Sequence, residues 1–359
     1  MFSPSEFREL VSGRRKGLAP ALLRSVLRLA ETPYAAAVRW RNSRYDTGAF
    51  KVHRVAVPVI SVGNLTLGGT GKTPMVEWLA RWFGHGGASV AVISRGYGAK
   101  GDGQNDEALE MQEKLPDVAY LQSPDRVEAA RQAIDQTGCR IILLDDAFQH
   151  RRIARQLDIV LLDALEPFGF GHVFPRGTLR EPIEGLCRAD VLVLTRADLV
   201  EPRQREQVRR EACRYAPHAV WAEVVHAPQG LRSSTGLERP IESLAGQPIA
   251  AFCGLGNPAG FRHTLDQCGY RVVGFREFAD HYQYSQTDID SLARWADRLD
   301  VAAVVCTHKD LVKLRVDQLG CSPLWAVAIG LEFLAGLEDL ETRLRGLLSG
   351  GPREDLGSL

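Results

Sequence analysis

A run of glycines, threonines and a lysine near residue 70 has the composition of a phosphate-binding site. Residues 63–73 read Gly-Asn-Leu-Thr-Leu-Gly-Gly-Thr-Gly-Lys-Thr and follow the apolar run Val55–Val62. Glycines let backbone N–H groups converge on phosphate oxygens, and a helix that starts here adds the positive end of its dipole. Lys72 would reach the β- and γ-phosphates, and the Thr73 hydroxyl would bind magnesium. The residues expected to bind ATP are Thr66, Leu67, Gly68, Gly69, Thr70, Gly71, Lys72 and Thr73.

A second acidic element completes this pattern. A P-loop requires a carboxylate at the end of a neighbouring strand, and Asp145 and Asp146 follow the apolar run 141–144. The ends of parallel strands are where open α/β sheets bind ligands. We therefore expect Thr73, Asp145 and Asp146 to hold the metal. The P-loop pattern departs at Thr66, which stands where glycine is usual. A glycine-rich turn without a ligand, and a solvated pair of aspartates, are the structural alternatives.

Short apolar runs alternate with helical patterns from residue 55 onward. Apolar strands separated by helices are typical of a parallel sheet covered on both faces. We expect an α/β fold, a P-loop NTPase-like and mostly parallel sheet flanked by helices, with a second and smaller α/β domain. One helix is expected at Pro124–Gln136 with Ser123 as its cap. The expected strands of the larger domain are Val55–Val62, Ser89–Ser94, Val118–Leu121, Arg140–Leu144, Ile159–Asp163, Val191–Thr195 and Ala219–Val225.

The chain divides into four segments. Residues 1–54 form a basic N-terminal part of the first domain, and residues 55–225 form its P-loop core. Residues 226–247 are polar and contain glycine and proline, which predicts a linker. Residues 248–350 form the smaller domain, with strands expected at Pro248–Cys253, Arg271–Phe278, Val301–Cys306 and Leu324–Ile329.

Composition excludes several classes of protein. The chain has 359 residues, 44 basic against 44 acidic side chains, and seven scattered cysteines. A balanced charge gives no indication of nucleic-acid binding, and cysteines without a C-x-x-C pair fit a reducing cytosol better than a zinc or disulfide framework. No run of about 18 apolar residues predicts a spanning helix, and no cleavable signal is evident.

The first 54 residues differ from the rest in charge. They contain eleven basic and four acidic residues, a net of +7. Apolar side chains there recur at helical spacing, whereas Arg24 and Arg28 lie on another face. Such a helix either lies in a membrane interface or packs on the protein's own core. The apolar stripe consists of Leu22, Leu23, Val26, Leu27 and Leu29.

Several motifs together resemble the tetraacyldisaccharide 4'-kinases of lipid A biosynthesis. They occur in that family's order and span roughly residues 55–313, which is far more specific than a P-loop alone. The matching segments are Val62–Thr66 leading into Gly68–Pro74, Ser94–Gly98, Asp145–His150, Pro175–Glu181, Ala279–His281, and Lys309-Asp310 followed by Lys313.

The resemblance implies transfer of the ATP γ-phosphoryl group to the 4'-hydroxyl of tetraacyldisaccharide 1-phosphate, which gives lipid IV-A. Its motif at residues 105–108 implies that Asp106 accepts the hydroxyl proton, with His281 as its hydrogen-bonded partner. Asn105 and Ala108 replace the family's glycine and proline. A helix-capping Asp106 and a surface His281 are the structural alternatives.

The resemblance also implies a set of acceptor or phosphate contacts. Arginine suits bidentate phosphate binding, so Arg95, Arg126 and Arg180 are expected in the cleft. A helix-surface role is the alternative for Arg126. The other expected contacts are Tyr97, Glu107, Gln149 and His150.

A tetraacylated substrate resides in a bilayer, which favours the interfacial interpretation of the N-terminal helix. We therefore expect a peripheral enzyme on the cytoplasmic face of the inner membrane, where ATP is present. Basic residues there would attract anionic lipid. No obligate protein partner and no nucleic-acid partner is evident from the sequence.

Two other functions fit the P-loop. The first is a nucleotide switch of the ParA/MinD or GTPase type, and Thr195-Arg196-Ala197-Asp198 resembles a guanine-reading T-K-x-D motif. Against it, Leu67 stands where ParA/MinD loops have lysine, and Asp145–Phe148 lacks the glycine of the GTPase D-x-x-G. The second is a kinase for a soluble sugar or nucleoside, in which the N-terminal helix is core.

Overall fold

The computed structural model describes residues 4–96, 111–112, 114–255, 258–279 and 282–349. These residues form two compact units. The first unit contains residues 4–96, 115–225 and 332–349, and the second contains the others. The chain passes from one unit to the other at 225/226 and returns at 331/332, in each case within a long strand.

The helices and strands of the described residues alternate along most of the chain. The helices are α1 Pro4–Val11, α2 Leu18–Asp46, α3 Lys72–His85, α4 Arg126–Thr137, α5 Pro202–Tyr215, α6 Pro258–Gln267, α7 Gln286–Leu299, α8 His308–Leu314 and α9 Leu337–Ser349. The strands are β1 Val59–Asn64, β2 Val90–Ser94, β3 Ala119–Gln122, β4 Ile141–Asp145, β5 Leu157–Asp163, β6 Val191–Thr195, β7 Val220–Arg232, β8 Glu238–Arg239, β9 Pro248–Cys253, β10 Arg271–Glu277, β11 Ala303–Thr307, β12 Gln318–Leu319 and β13 Ser322–Ala335.

The sheet of the first unit has the order β7-β6-β5-β1-β4-β2-β3, and all neighbouring strands in it are parallel. Every residue of β1 and β5 is buried, as expected of strands covered on both faces. Val62 in β1 lies opposite Asp145 in β4 and Ile159 in β5. The carboxyl ends of these three strands therefore meet at one edge, and the predicted α/β class is confirmed.

The second unit has its own parallel strands, in the order β10-β9-β11-β13, with the short β12 antiparallel to β13. Its core includes Ile249, Leu265 and Trp325. The structure differs here from the predicted linker 226–247, because β7 continues to Arg232 and pairs antiparallel with β8. Leu231 is buried in the core of this unit. Burial of this side chain outweighs the turn tendency of Gly230 beside it.

Helix α4 begins two residues later than predicted. The side chain of Asp125, not that of Ser123, accepts hydrogen bonds from the backbone N–H groups of Val127 and Glu128. These bonds lower the pKa of Asp125, although burial opposes the shift. Its ionised carboxylate also interacts favourably with the positive end of the helix dipole. The Ser123 hydroxyl instead donates to the carbonyl of Asp125.

Candidate active site

The phosphate loop lies between β1 and α3 and contains residues 65–71. Gly68 and Gly71 adopt left-handed backbone conformations, with φ of 121° and 81°. A side chain at either position would strain the backbone. The buried Asn64, the last residue of β1, holds the loop, since its Nδ2 donates to the carbonyl of Thr66 at 2.9 Å. Helix α3 begins at Lys72, so its positive end faces the loop.

A second segment fixes the other side of the loop. The backbone N–H of Leu67 donates to the carbonyl of Thr178 at 2.7 Å, and that of Arg180 donates to the carbonyl of Leu65 at 2.6 Å. Arg180 adds a side-chain bond from Nε to the carbonyl of Thr66 at 3.1 Å. The predicted residue Arg180 thus lies directly beside the phosphate loop.

Asp146 joins two cations at the end of this loop. Its carboxylate accepts both bonds from Arg180 Nη1, at 2.8 and 2.9 Å, and lies 3.6 Å from Lys72 Nζ. Burial alone would raise the pKa of Asp146, but Lys72 and Arg180 together lower it below its usual value. The carboxylate is therefore ionised at neutral pH and orients both cations toward the loop.

Arg126 is buried and does not lie on a helix surface. It is the first residue of α4, and its Nη2 donates to the carbonyls of Asp145 and Asp146 at 2.7 and 3.0 Å. The guanidinium therefore holds the backbone at the end of β4. This contact supports the left-handed conformation of Asp146, whose φ is 48°.

The amide nitrogen of Gln149 donates two hydrogen bonds within the protein. Its Nε2 donates to the carbonyl of Asn64 at 2.9 Å and to Glu181 Oε1 at 3.0 Å. Glu181 is fully buried and also accepts bonds from Arg188 and Asn42. Gln149 thus ties the end of β1, just before the phosphate loop, to this buried network, and its role as a substrate contact stays a prediction.

His150 is half-buried, and three arginines surround it. Burial lowers its pKa to about 4, and Arg126, Arg152 and Arg155 reinforce the shift. The imidazole is therefore neutral at pH 7 and adds no positive charge to the site. Any contact that it makes with substrate would be a hydrogen bond from a neutral ring.

The shift at His150 predicts a pH-dependent stability. Its folded-state pKa of about 4 lies below the value of about 6.5 in an unfolded chain, so the unfolded chain binds the proton first. Stability is then lost as pH falls from about 6.5 toward 4. After discounting for partial exposure, we expect His150→Asn to reduce the loss between pH 7 and 5 by about 1 kcal/mol. Denaturant unfolding at both pH values measures it.

The comparison of variants isolates His150 from other titrating groups. The pKa of Asp158 is raised to about 6 by burial, which changes stability in the opposite direction, but this carboxylate is present in both proteins. His218→Asn, at an exposed position, is the matched control. Equal pH dependence in wild type and His150→Asn would show that the imidazole is not responsible.

The described residues include only part of the predicted site. Arg95 is exposed and follows β2 directly. Tyr97, Asp106, Glu107 and His281 lie outside the described residues. Their predicted roles therefore stay predictions.

Arg196 holds the phosphate loop, a role that its sequence context did not predict. Its Nη2 donates to the carbonyl of Gly69 in the phosphate loop, at 3.2 Å, and to the buried carboxylate of Asp163. Arg196 follows β6 and Asp163 ends β5, so both lie at the edge where the loop begins. The same strand-end position that indicated Asp145 could have identified Asp163. The T-R-A-D motif resembles one that recognises a guanine base, but here its arginine holds the phosphate loop.

Helix α2 has two apolar sides. Leu23 and Leu27 belong to the predicted apolar stripe, but these two side chains are half-buried. Four other side chains are exposed by 59–86% and fall within an arc of about 80° at 100° per residue. The exposed stripe consists of Leu18, Leu22, Val26 and Leu29. Trp40, further along the helix, is also 61% exposed.

The opposite side of α2 contacts the segment that holds the phosphate loop. Glu31 accepts a bond from the backbone N–H of Val173 at 2.8 Å. Tyr34 donates its hydroxyl to the carbonyl of Arg180 at 3.1 Å. The helix that carries the exposed stripe thus contacts Arg180, which pairs directly with Asp146. Among the described helices, none has both the length and the apolar content needed to cross a bilayer.

A glycine-rich loop between a buried parallel strand and a helix, with cations and carboxylates gathered at its end, defines a P-loop nucleotide-binding protein. The model of the LpxK family, described as tetraacyldisaccharide-1-P 4'-kinase, matches residues 23–349. The chain therefore belongs to the tetraacyldisaccharide 4'-kinase family. It is an ATP-dependent kinase of lipid A biosynthesis, and the alternative of a nucleotide switch is not favoured.

Individual relatives agree with this family over nearly the whole chain. A tetraacyldisaccharide 4'-kinase of Anaeromyxobacter sp. (strain K) is 39% identical over 94% of this chain and 94% of its own length. One of Desulfatibacillum aliphaticivorans is 38% identical over 86% of this chain and 89% of its own length. The crystal structure of LpxK from Aquifex aeolicus in complex with ATP is similar with a TM-score of 0.73. It is 29% identical and covers 90% of this chain and 99% of that one.

Proposed function

We propose that Lys72 and Arg180 receive the triphosphate of ATP while its γ-phosphoryl group passes to the 4'-hydroxyl of tetraacyldisaccharide 1-phosphate. The observation that carries this proposal is the cluster of Lys72, Asp146 and Arg180 at the end of the phosphate loop. Two cations next to the start of a helix are complementary to the negative charge of a nucleoside triphosphate. The ATP complex of the Aquifex aeolicus relative supports the same nucleotide here.

Phosphoryl transfer needs alignment and charge neutralisation more than covalent help from the protein. The 4'-oxygen forms a bond to the γ-phosphorus as the bond to the β,γ-bridging oxygen breaks, and ADP leaves with that electron pair. We assign Asp106 as the base that takes the hydroxyl proton and His281 as its partner. Both assignments come from the family motif, since the two residues lie outside the described part of the chain.

Magnesium would neutralise charge on the β- and γ-phosphates. Thr73 and Asp145 offer hydroxyl and carboxylate oxygens, the ligands that this ion prefers. Asp146 already binds Lys72 and Arg180, so we assign to it the orientation of these cations and to Asp145 the metal. Among the described residues, no group of three His, Cys, Asp or Glu side chains converges on one point.

The experiment is a transfer assay with γ-labelled ATP, magnesium and detergent-dispersed tetraacyldisaccharide 1-phosphate. We expect label on the lipid product, and far less label on it when γ-labelled GTP replaces ATP. The matched control acceptor carries hydrogen in place of the 4'-hydroxyl and should take no label. Label released only as inorganic phosphate, with none on the lipid, would overturn the proposal.

We also propose that the exposed stripe of α2 binds the bilayer in which the acceptor lies. The stripe is apolar, and the basic residues Arg14, Arg15, Lys16 and Arg28 near it are exposed. Apolar side chains flanked by cations are typical of helices that lie in a membrane interface. The contact between Tyr34 and the Arg180 carbonyl supports this role, because it joins the helix to the phosphate site. The enzyme would act on the cytoplasmic face of the inner membrane, where ATP is present.

Vesicle binding tests the role of the stripe. We expect Leu22→Ser combined with Leu29→Ser to weaken binding to vesicles that contain phosphatidylglycerol by at least about 10-fold, because two leucines lose their burial in lipid. Transfer to detergent-dispersed acceptor should change by less than about 2-fold, since both side chains are exposed and substitutions at exposed positions usually change stability little. Cosedimentation with vesicles measures the first effect.

A matched variant carries the same two changes elsewhere. Leu199 and Leu237 are exposed and lie outside α2, so Leu199→Ser with Leu237→Ser should bind vesicles as wild type does. Unchanged binding of the stripe variant, or equal loss in this control, would contradict the interfacial role of α2.

A further inference from the structure

Helix α8 carries a buried carboxylate whose hydrogen-bond donors come from three separate segments of the second unit. Asp310 is fully buried. Both its oxygens lie 3.1 Å from the backbone N of Gly254, just after β9. The Tyr284 hydroxyl donates to Oδ1 at 2.9 Å, and the Thr307 hydroxyl donates to Oδ2 at 2.6 Å. One carboxylate thus joins the ends of β9 and β11 to the segment before α7.

A second side chain of α8 reaches the same segment. Lys313 Nζ donates to the carbonyl of Tyr282 at 3.3 Å. The backbone N–H of Tyr282 in turn donates to the carbonyl of Ala279 at 3.1 Å. Only Asp280 and His281 lie between these two residues in the sequence. Helix α8 therefore contacts the chain immediately next to His281.

Close packing leaves this arrangement little freedom. A Cβ at Gly254 would come within 2.9 Å of Asp310 Oδ1 and 3.3 Å of the Ala279 carbonyl. The Tyr284 ring packs against those of Phe252 and Phe278, with centroids 5.9 and 5.1 Å apart. Burial and the Asp310 carboxylate raise the pKa of Tyr284 strongly, so its hydroxyl stays a donor.

A buried carboxylate is costly for stability, and an apolar residue of similar size would cost less. Its use here indicates a requirement for a defined geometry, because all its donors must be held in place. We propose that Asp310, Tyr284 and Lys313 are positioning residues for His281, because they hold the backbone at Ala279 and Tyr282, the described residues on either side of Asp280 and His281 in the sequence. This proposal rests on the role assigned to His281 in phosphoryl transfer.

The test is a double-mutant cycle with full-length enzyme. Tyr284→Phe removes one hydroxyl and retains the ring, so the fold should persist. We expect kcat to fall about 10-fold with KM for ATP within about 2-fold, as for a misplaced catalytic group. In a His281→Ala background the same change should lower kcat by less than 2-fold, since nothing remains to be positioned. Lys313→Met should behave in the same way.

Tyr270→Phe is the matched control. The Tyr270 residue is also buried in the second unit, and its hydroxyl donates to the carbonyl of Ile241, which lies outside α8, at 2.7 Å. It should lose stability without losing kcat. An equal fall in kcat for Tyr270→Phe, or equal effects of Tyr284→Phe with and without His281, would overturn the positioning role.

The same experiment separates this proposal from the proposed function. If His281→Ala transfers phosphate as wild type does, the positioning role fails but the kinase activity stands. If the wild-type enzyme labels no lipid, the proposed function fails instead.

Discussion

Replacement of Lys72 by alanine should lower phosphoryl transfer by at least about 10³-fold. The ammonium lies at the start of α3, 3.6 Å from Asp146, where it would meet the terminal phosphates. A charge already in place at a developing anion is among the largest contributions to such reactions. The loss should fall mainly on kcat, because the cation would bind the transition state more strongly than the bound ATP. The labelled-ATP transfer assay measures it.

Two controls separate chemistry from folding. Asp146 keeps its paired contacts with Arg180 when Lys72 is removed, so the melting temperature should change little. Glu77→Ala, on the same helix but away from the loop, should retain activity. Retention of more than a tenth of wild-type turnover by Lys72→Ala would refute the role of the phosphate loop.

Replacement of Asp106 by asparagine should lower kcat by about 10²-fold or more, in line with loss of a positioned base. The substitution keeps the shape of the side chain but removes its ability to accept a proton. KM for ATP should stay within about 2-fold, because the base would act on the acceptor. Steady-state kinetics with both substrates varied measures the two effects.

The pH dependence of turnover gives an independent readout. A base must be unprotonated to act, so wild-type turnover should fall on the acidic side of its profile, and Asp106→Asn should lose this limb. Glu107→Gln, next to it in the sequence, is the matched control for loss of charge. A larger loss in Glu107→Gln than in Asp106→Asn would move the catalytic role to the neighbouring carboxylate.

Local patterns predicted most of the first unit. β6 has the predicted bounds, β4 is displaced by one residue, and β1 begins four residues and ends two residues later than predicted. These strands could be located because continuous apolar runs are a local signal. The phosphate loop could be predicted equally well, since its glycines and Lys72 are close together in the sequence. Strand ends then identified Asp145 and Asp146.

Contacts between distant segments could not be predicted in this way. Glu181 meets Asn42 across 139 positions, and Arg196 meets Gly69 across 127 positions. Nothing in the local sequence determines such pairs, since they depend on how the sheet brings loops together. The same reason explains α2, where Leu23 and Leu22 have the same chemistry and only the packed structure decides which is exposed.

The charge of the N-terminal region has a consequence for how the molecule approaches a surface. Since the whole chain is neutral, the 305 residues after residue 54 carry as much excess negative charge as the first 54 carry positive charge. An anionic bilayer would attract the first 54 residues and repel the oppositely charged remainder, which would give an orienting torque within about a Debye length. Added salt should therefore reduce the fraction of collisions between enzyme and bilayer that lead to binding. This should hold even though salt does not affect the burial of the α2 leucines in lipid.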